Sequence, residues 1–339
     1  MTGTPRGDPE PTPGVGQMDE FPIIAGYEGS PPAQAALRWA LDEGVRRGLP
    51  VRILHVVDPE SRLVRGSAGW RESMHGAADR AVRRVAAEAE DWGRLGIAVT
   101  GAAVDGPVAG ALCAQSGRAS LLVLGNRGLG GFPGQRIGSV SLAVATHALC
   151  PVVIIREGMC ISSARPIGVG VDDGEQARLA LGFAFDEAAV RGVDLVAVRG
   201  WHPPGDVLAH PPGQTGPATH QADAVPADQA FDEARHAEQQ LLDHALAPWR
   251  DRYPEVTVIP RLIPVTATHA LTVASREVQL MVVGARGTGG FPGLCLGSVS
   301  HQLLHHAVAS VMVVRPVAGT AGIKLRTGAG RVRPALVTT

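Results

Sequence analysis

Lysine is almost missing from this chain: of its 31 basic residues only Lys324, near the C-terminus, is a lysine. No G-x-x-x-x-G-K-[ST] string occurs, so a Walker-type phosphate loop, which needs a lysine to reach the β- and γ-phosphates, is excluded. Aromatic residues make up only 4% and the formal net charge is −1. That combination removes both the stacking platforms and the long-range attraction on which nucleic-acid binders depend. No apolar run approaches the roughly 18 to 20 residues needed to span a bilayer, and the opening MTGTPRGDPEPTPGVGQ lacks the apolar centre of a signal peptide. The expectation is a cytoplasmic protein with neither nucleic acid nor membrane as partner. The cysteines at 113, 150, 160 and 295 form no C-x-x-C and have spacings that suit neither zinc nor a disulfide framework. They read as reduced thiols, with a redox sensor at Cys150 or Cys160 as the weaker alternative.

What is present is a duplication. The string GNRGLGGFPGQRIGSVS at 125–141 returns as GARGTGGFPGLCLGSVS at 284–300, with twelve of seventeen positions identical. Each copy runs on into a helical stretch and an apolar strand ending in arginine, CPVVIIRE and SVMVVRP. Upstream of each loop, short apolar runs alternate with longer amphipathic stretches, the pattern of βαβ units around a parallel sheet. Strands are expected near 22–26, 51–57, 97–104, 120–125 and 151–156, and again near 166–171, 193–199, 256–263, 279–284 and 310–315. Helices are expected near 32–48, 70–94, 107–117 and 139–148, then 174–191, 226–249, 265–276 and 298–307. The fold class is therefore α/β, two tandem Rossmann-like domains over residues 21–158 and 165–316, each a five-stranded parallel sheet flanked by helices. Residues 1–20 and 317–339 read as flexible tails. The offset between copies is 144 at Glu28/Asp172 and 159 at Gly125/Gly284, so the second copy has fifteen extra residues. They fall in the Pro-, Gly- and His-rich stretch 202–229, which suits a mobile loop.

The chemistry sits in the repeated loop: a strand, then Gly125 and Gly128, nine residues, then Gly138 and Ser139 opening a helix, repeated as Gly284, Gly287, Gly297 and Ser298. Glycines allow positive φ and close approach of backbone N–H groups to an anion. The first turn of the following helix adds unpaired N–H groups and the positive end of the helix dipole. The plainer alternative is that the glycines only turn the chain and that Ser139 and Ser298 are N-caps. Neither loop is a Rossmann fingerprint, since each follows the fourth strand and not the first. A doubly wound sheet places its ligand where strand order reverses, which brings the end of strand one beside the loop. That end carries Glu28 in IIAGYEGSPP and Asp172 with Asp173 in IGVGVDDGEQ. These carboxylates can accept from ribose hydroxyls or hold a divalent cation on phosphates, or simply serve as helix caps.

Taken together, these residues resemble the universal stress protein family, whose ATP-binding members have a first strand ending in G-V-D-G-S and the loop G-2x-G-9x-G-[ST]. Both loops here match that spacing without insertion, over a resemblance covering about residues 21 to 316. It implies bound ATP, with or without Mg2+, and pairing of copies through strand five, which a tandem chain can make within itself or use to form a homodimer. Carried over position by position, the first copy would place Gly26 and Glu28 at the ribose, the Val56 backbone at adenine, Leu124 and Gly125 beside the nucleoside, and Gly128, Gly138, Ser139 and Val140 around the phosphates. The second would use Gly170, Asp172, Gly200, Val283, Gly284, Gly287, Gly297, Ser298 and Val299. There are departures: Glu28 stands where the family has Asp, which would displace the carboxylate by a methylene; Asp173-Gly174 replaces Gly-Ser, adding negative charge near the phosphates; Gly200 takes the adenine-side Val position. The first copy is expected to bind better.

An enzyme would need a nucleophile and base or a metal cage. The chain has no G-x-S-x-G and no H-E-x-x-H. His301, His305 and His306 are the densest histidine group, but copy one has Leu142 and Thr146 opposite the first two, and a polar helix face is the simpler reading. Slow ATP hydrolysis aided by Arg127 and Arg286 would be incidental. The function expected from the sequence is an ATP-binding stress or dormancy regulator, with a nucleotide-free interaction protein as the alternative class.

Overall fold

The computed structural model describes residues 21–58, 68–91, 96–129, 136–156, 164–203, 227–288 and 295–316. Copy one comprises β1 (Ile23–Gly26), α1 (Pro31–Arg47), β2 (Val51–Val57), α2 (Ala68–Asp91), β3 (Val99–Asp105), α3 (Val108–Ser116), β4 (Leu121–Gly125), α4 (Ser139–His147) and β5 (Val152–Ile155). Copy two repeats the order with β6 (Ile167–Gly170), α5 (Glu175–Arg191), β7 (Leu195–Gly200), α6 (Ala227–Arg252), β8 (Val258–Ile263), α7 (Ala267–Ala274), β9 (Leu280–Gly284), α8 (Ser298–His306) and β10 (Ser310–Val314). Both tails and most of 202–229 lie outside the described residues.

The ten strands among the described residues form one sheet in the order β3-β2-β1-β4-β5-β10-β9-β6-β7-β8. Within each copy the pairs are parallel; β5 and β10 meet antiparallel, Val153 opposite Met312. The copies thus pair through their fifth strands inside one chain, as the resemblance implied. Both ladders that would otherwise end in an open edge are joined there, leaving β3 and β8 as the outer strands.

Strand alternation assigns the two faces. On β4, Leu121 and Val123 point to the side covered by α1, α2, α5 and α6, while Leu122 and Leu124 point to the side covered by α3, α4, α7 and α8. Each of the two apolar clusters runs through both copies without a break, through Ile155 and Met312 on one face and Ile154 and Val313 on the other. A shared core of this kind ties the halves together by burial as well as by the ladder. Helices α1 and α5 both stop at a glycine in the left-handed region, Gly48 at φ 66° and Gly192 at φ 65°. Their N–H groups return to carbonyls of the last turn, a conformation that costs a residue with a Cβ about 1 kcal/mol.

Two devices lock the copies. Arg156, after β5, donates to the carbonyls of Leu303 and Leu304 at the end of α8, at 3.4 and 2.6 Å. Arg315, after β10, does the same for Ala145 and Thr146 at the end of α4. Each copy's terminal arginine therefore caps a helix of the other and faces the negative end of its dipole. On the opposite face, α1 and α5 share a ring of charges: Arg47 contacts Glu43, Asp186 and Glu187, and Arg191 contacts Glu187 and Glu43. Glu43 and Glu187 are 0% and 1% exposed. The ring follows from another repeated string, DEGVRRG at 42–48 and DEAAVRG at 186–192.

Candidate functional site

Strand order reverses at β1, which lies between β2 and β4 in copy one; β6 lies likewise between β7 and β9 in copy two. The crevice beyond their carboxyl ends is where a ligand is expected, and both loops and both acidic residues converge on it. A Cβ built on Gly128 would sit 3.4 Å from Oε1 of Glu28, and one on Gly287 would collide with Oδ2 of Asp172. The strand-one carboxylate therefore lies against the second glycine of the loop in both copies.

The Glu28 carboxylate stays beside Gly128 but farther from its loop glycine than Asp172 is from Gly287, and it has a different partner. Gly29 takes φ 88°, turning the chain so that the Ser30 hydroxyl, itself the N-cap of α1 through Ala33 N–H at 3.2 Å, donates to Glu28. Asp172, one carbon shorter, accepts instead from the Gly174 N–H at 2.8 Å. Asp173 adds no free charge beside the loop either. Arg199 holds it with two hydrogen bonds, at 3.1 and 3.0 Å, and also bonds Glu238 at 2.6 Å. The sequence reading missed Ser30, Arg199 and Glu238; only Ser30 stood next to a motif residue.

The motif glycines work by close approach, not by positive φ. None of Gly125, Gly128, Gly138, Gly284, Gly287 and Gly297 is among the positive-φ glycines. A Cβ on Gly125 would lie 2.7 Å from the Pro32 backbone, one on Gly284 3.0 Å from Gln176, one on Gly138 3.5 Å from Arg127 Cα and one on Gly297 3.3 Å from Arg286 Cα. The loop folds back on itself, Gly138 N–H to the Asn126 carbonyl and Gly297 N–H to the Ala285 carbonyl, both at 2.7 Å. At Gly26 the space a side chain would need is filled by Leu124, and at Gly170 by Leu271 and Val283. Leu124 and Val283 are core residues, so only their backbone is available to a ligand.

Ser139 and Ser298 are not N-caps. Gly138 and Gly297 hold the cap positions, with extended backbone and no side-chain hydrogen bond, so each serine is the first helical residue and is exposed. Its hydroxyl joins the unpaired N–H groups of that turn instead of satisfying one. The anchoring falls to the serine two residues on: Ser141 donates to the Gly125 carbonyl at 2.8 Å and Ser300 to Gly284 at 2.6 Å. These two close the repeated string, so the signal was in the sequence. Val140 and Val299, between them, pack partly on the core. The Arg286 N–H bonds Gln176 at 2.8 Å, tying the second loop to α5.

Copy one and copy two differ at the end of their second strands. Leu54 takes the Tyr27 N–H and Val57 takes the Gly106 N–H, so by alternation Val56 directs its backbone polar groups toward β1, beyond β1's last residue. At the matching Gly200 a Cβ would lie 2.6 Å from Ala267 Cα and 2.9 Å from the Val265 carbonyl. Glycine is needed because the start of α7 presses onto the strand end.

Among the described residues no group of three or more His, Cys, Asp or Glu has the arrangement to hold a metal ion, and no helix is long and apolar enough to cross a membrane. His301 and His305 lie 4.7 Å apart between ring centroids, with their planes tilted by 41°. Burial pushes the Cys150 thiol up to about 12, which is against a reactive thiolate there; Cys160 lies outside the described residues. A cleft of about 790 Å³ lies between the end of the first loop, at Arg136–Ile137, and helices α7 and α8.

Comparison with known proteins is consistent with this geometry. The chain is 34% identical over 308 residues to the universal stress protein Rv2623 of Mycobacterium tuberculosis, covering 86% of this chain and 96% of the relative. It is 33% identical over 314 residues to a universal stress protein of Mycolicibacterium smegmatis, covering 89% and 99%. A crystal structure of a universal stress protein from Archaeoglobus fulgidus shares the fold with a TM-score of 0.61 at 18% identity, covering 87% of this chain and 98% of that one. The universal stress protein family model matches twice, at residues 21–156 and 163–315, and the chain belongs to that family as a tandem of two such domains.

Proposed function

We propose that this protein is an ATP-binding regulator acting in the cytoplasm in a stress or dormancy response, through nucleotide-dependent conformation or partner binding and not through turnover. The observation that carries the reading is the carboxylate set against the loop glycine at the strand-order switch, made independently by Glu28 with Gly128 and by Asp172 with Gly287. In this reading Gly128, Gly138 and Ser139, and Gly287, Gly297 and Ser298, surround the phosphates. Val140 and Val299 contribute first-turn N–H groups. Gly26 with Glu28, and Gly170 with Asp172, face the ribose, with Mg2+ as a further partner of the carboxylates on phosphate oxygens. The Val56 backbone takes adenine in copy one, and Leu124, Gly125, Val283 and Gly284 flank the nucleoside through their main chains. The approach of α7 to Gly200 narrows the adenine side of copy two, so copy one binds more tightly.

Calorimetric titration of the full chain with ATP tests this. Gly128→Val places a side chain against a movable carboxylate end, 3.4 Å away, and is expected to leave the fold intact. It should remove the tighter binding event, and Gly287→Val the weaker one. ATP heats unchanged by both substitutions would defeat the assignment. Steady release of ADP that both abolish would favour a slow hydrolase, and a stress phenotype indifferent to both would favour a nucleotide-free interaction protein.

A further inference from the structure

The cleft between the copies borders the end of the first loop but is lined by none of the motif glycines, and the duplication provides its control. Its walls are the end of the first loop, Arg136 and Ile137, the α7 stripe from Thr266 to Arg276, and His305 and His306 at the end of α8. At the equivalent positions across the internal two-fold, Arg136 becomes Cys295, Thr268 becomes Ala109, Thr272 becomes Cys113, His269 becomes Gly110 and Arg276 becomes Gly117. His305 becomes Thr146 and Thr266 becomes Pro107. One side of a pseudo-symmetric molecule has thus acquired two guanidiniums, two further imidazoles and three hydroxyls that the other lacks. Packing does not ask for them, since the same backbone is built without them.

The cleft has no acidic wall. Neither Arg136 nor Arg276 is ion-paired among the described residues; Arg136 donates only to the His306 carbonyl, at 3.3 Å, and the nearest acidic neighbour in sequence, Glu277, is held by Arg261 at 2.7 Å. The Nε2 of His305 is buried without a partner, and burial, with His301, His306 and Arg156 nearby, lowers its pKa. Two uncompensated guanidiniums from different copies, in one cleft with threonine side chains, match an anion with several oxygens and more than one charge. A volume near 790 Å³ accommodates more than a single phosphate.

From these features we infer that the cleft is a further ligand site, for a small molecule bearing a di- or triphosphate group, assembled from both copies and separate from the two sites at the loop glycines. Because Arg136 stands two residues before Gly138, occupancy there also fixes the end of the first loop. The inference does not require ATP at the loops.

The probe is inorganic pyrophosphate, titrated by calorimetry into the full chain carrying Gly128→Val and Gly287→Val. One binding event per chain is expected to survive, weakened at least tenfold by Arg276→Gln or Arg136→Gln and unchanged by Arg38→Gln, an exposed arginine on α1. ATP, which carries a triphosphate, should compete for this event in the loop-blocked chain, and Arg276→Gln should weaken that competition as well. No event in the loop-blocked chain, no competition by ATP for that event, or equal weakening by Arg38→Gln would overturn the inference.

Discussion

Replacing Arg191 by methionine removes one of two guanidiniums from a ring that already carries three carboxylates. Arg47 alone then faces Glu43, Asp186 and Glu187, with Glu43 and Glu187 fully buried. Breaking a buried pair by deleting one partner costs about 3 to 5 kcal/mol, and the loss of the Arg191 stack on Trp39, 5.4 Å from the ring centroid, adds to it. The ring also sets a pH dependence. Burial, with Glu43 and Asp186 nearby, raises Glu187 to about 6. At Glu43 burial is outweighed by Arg47 and Arg191, and its pKa falls to about 2. A raised carboxylate binds more protons folded than unfolded, so the intact protein loses about 2 kcal/mol as pH rises from 4.5 to 6. A lowered one loses its contribution as pH falls from 4.5 toward 2. The two titrate as a pair, with greatest stability between those windows. In Arg191→Met the Glu43 and Glu187 carboxylates both shift upward, so the deficit should be larger at pH 8 than at pH 5, and Glu43→Gln added to it should restore part. Urea unfolding at the two pH values measures this. A deficit below about 1 kcal/mol, equal at both, would refute the view that the ring is a closed buried network.

Arg156→Gln should weaken the pairing of copies by about 1.5 to 3 kcal/mol, because the α8 carbonyls lose charged donors; amide exchange in β5 and β10 should accelerate while that in β1 and β6 does not. Gly200→Val must displace the Ala267 backbone and should cost about 1 to 3 kcal/mol in thermal unfolding, whereas Val56→Gly at the matching site should lose only the packing of one half-buried side chain. With a thiol reagent at pH 8, exposed Cys295 should react well before Cys150, whose thiol is buried and pushed up to about 12.

The sequence announced the elements well because each strand and helix is short and bounded by its own turn residues; all eighteen described elements fall within a few residues of their expected spans. The duplication then supplied what a single copy could not, a second instance of every motif position. What stayed hidden were partnerships between residues distant in sequence. Asp173 looked like charge beside a phosphate because nothing in VDDGEQ shows that Arg199, 26 residues on, folds back to it. Ser139 looked like a cap because serine prefers that position, yet the close approach of the loop to Arg127 puts glycine there and moves serine one place into the helix. The buried ring and the crossed arginines were spelled in repeated strings, but their meaning depends on β5 meeting β10 antiparallel. That geometry brings α1 beside α5 and each terminal arginine onto the other copy's helix.

The most direct measurement of the account is chemical: protein purified natively without added nucleotide, then denatured, and the released small molecules identified and counted against chain. The account predicts an adenine nucleotide, at one per chain when only the first loop is filled and at most two from the loops. Release of none, together with failure of the refolded or nucleotide-free chain to take up ATP, would contradict it.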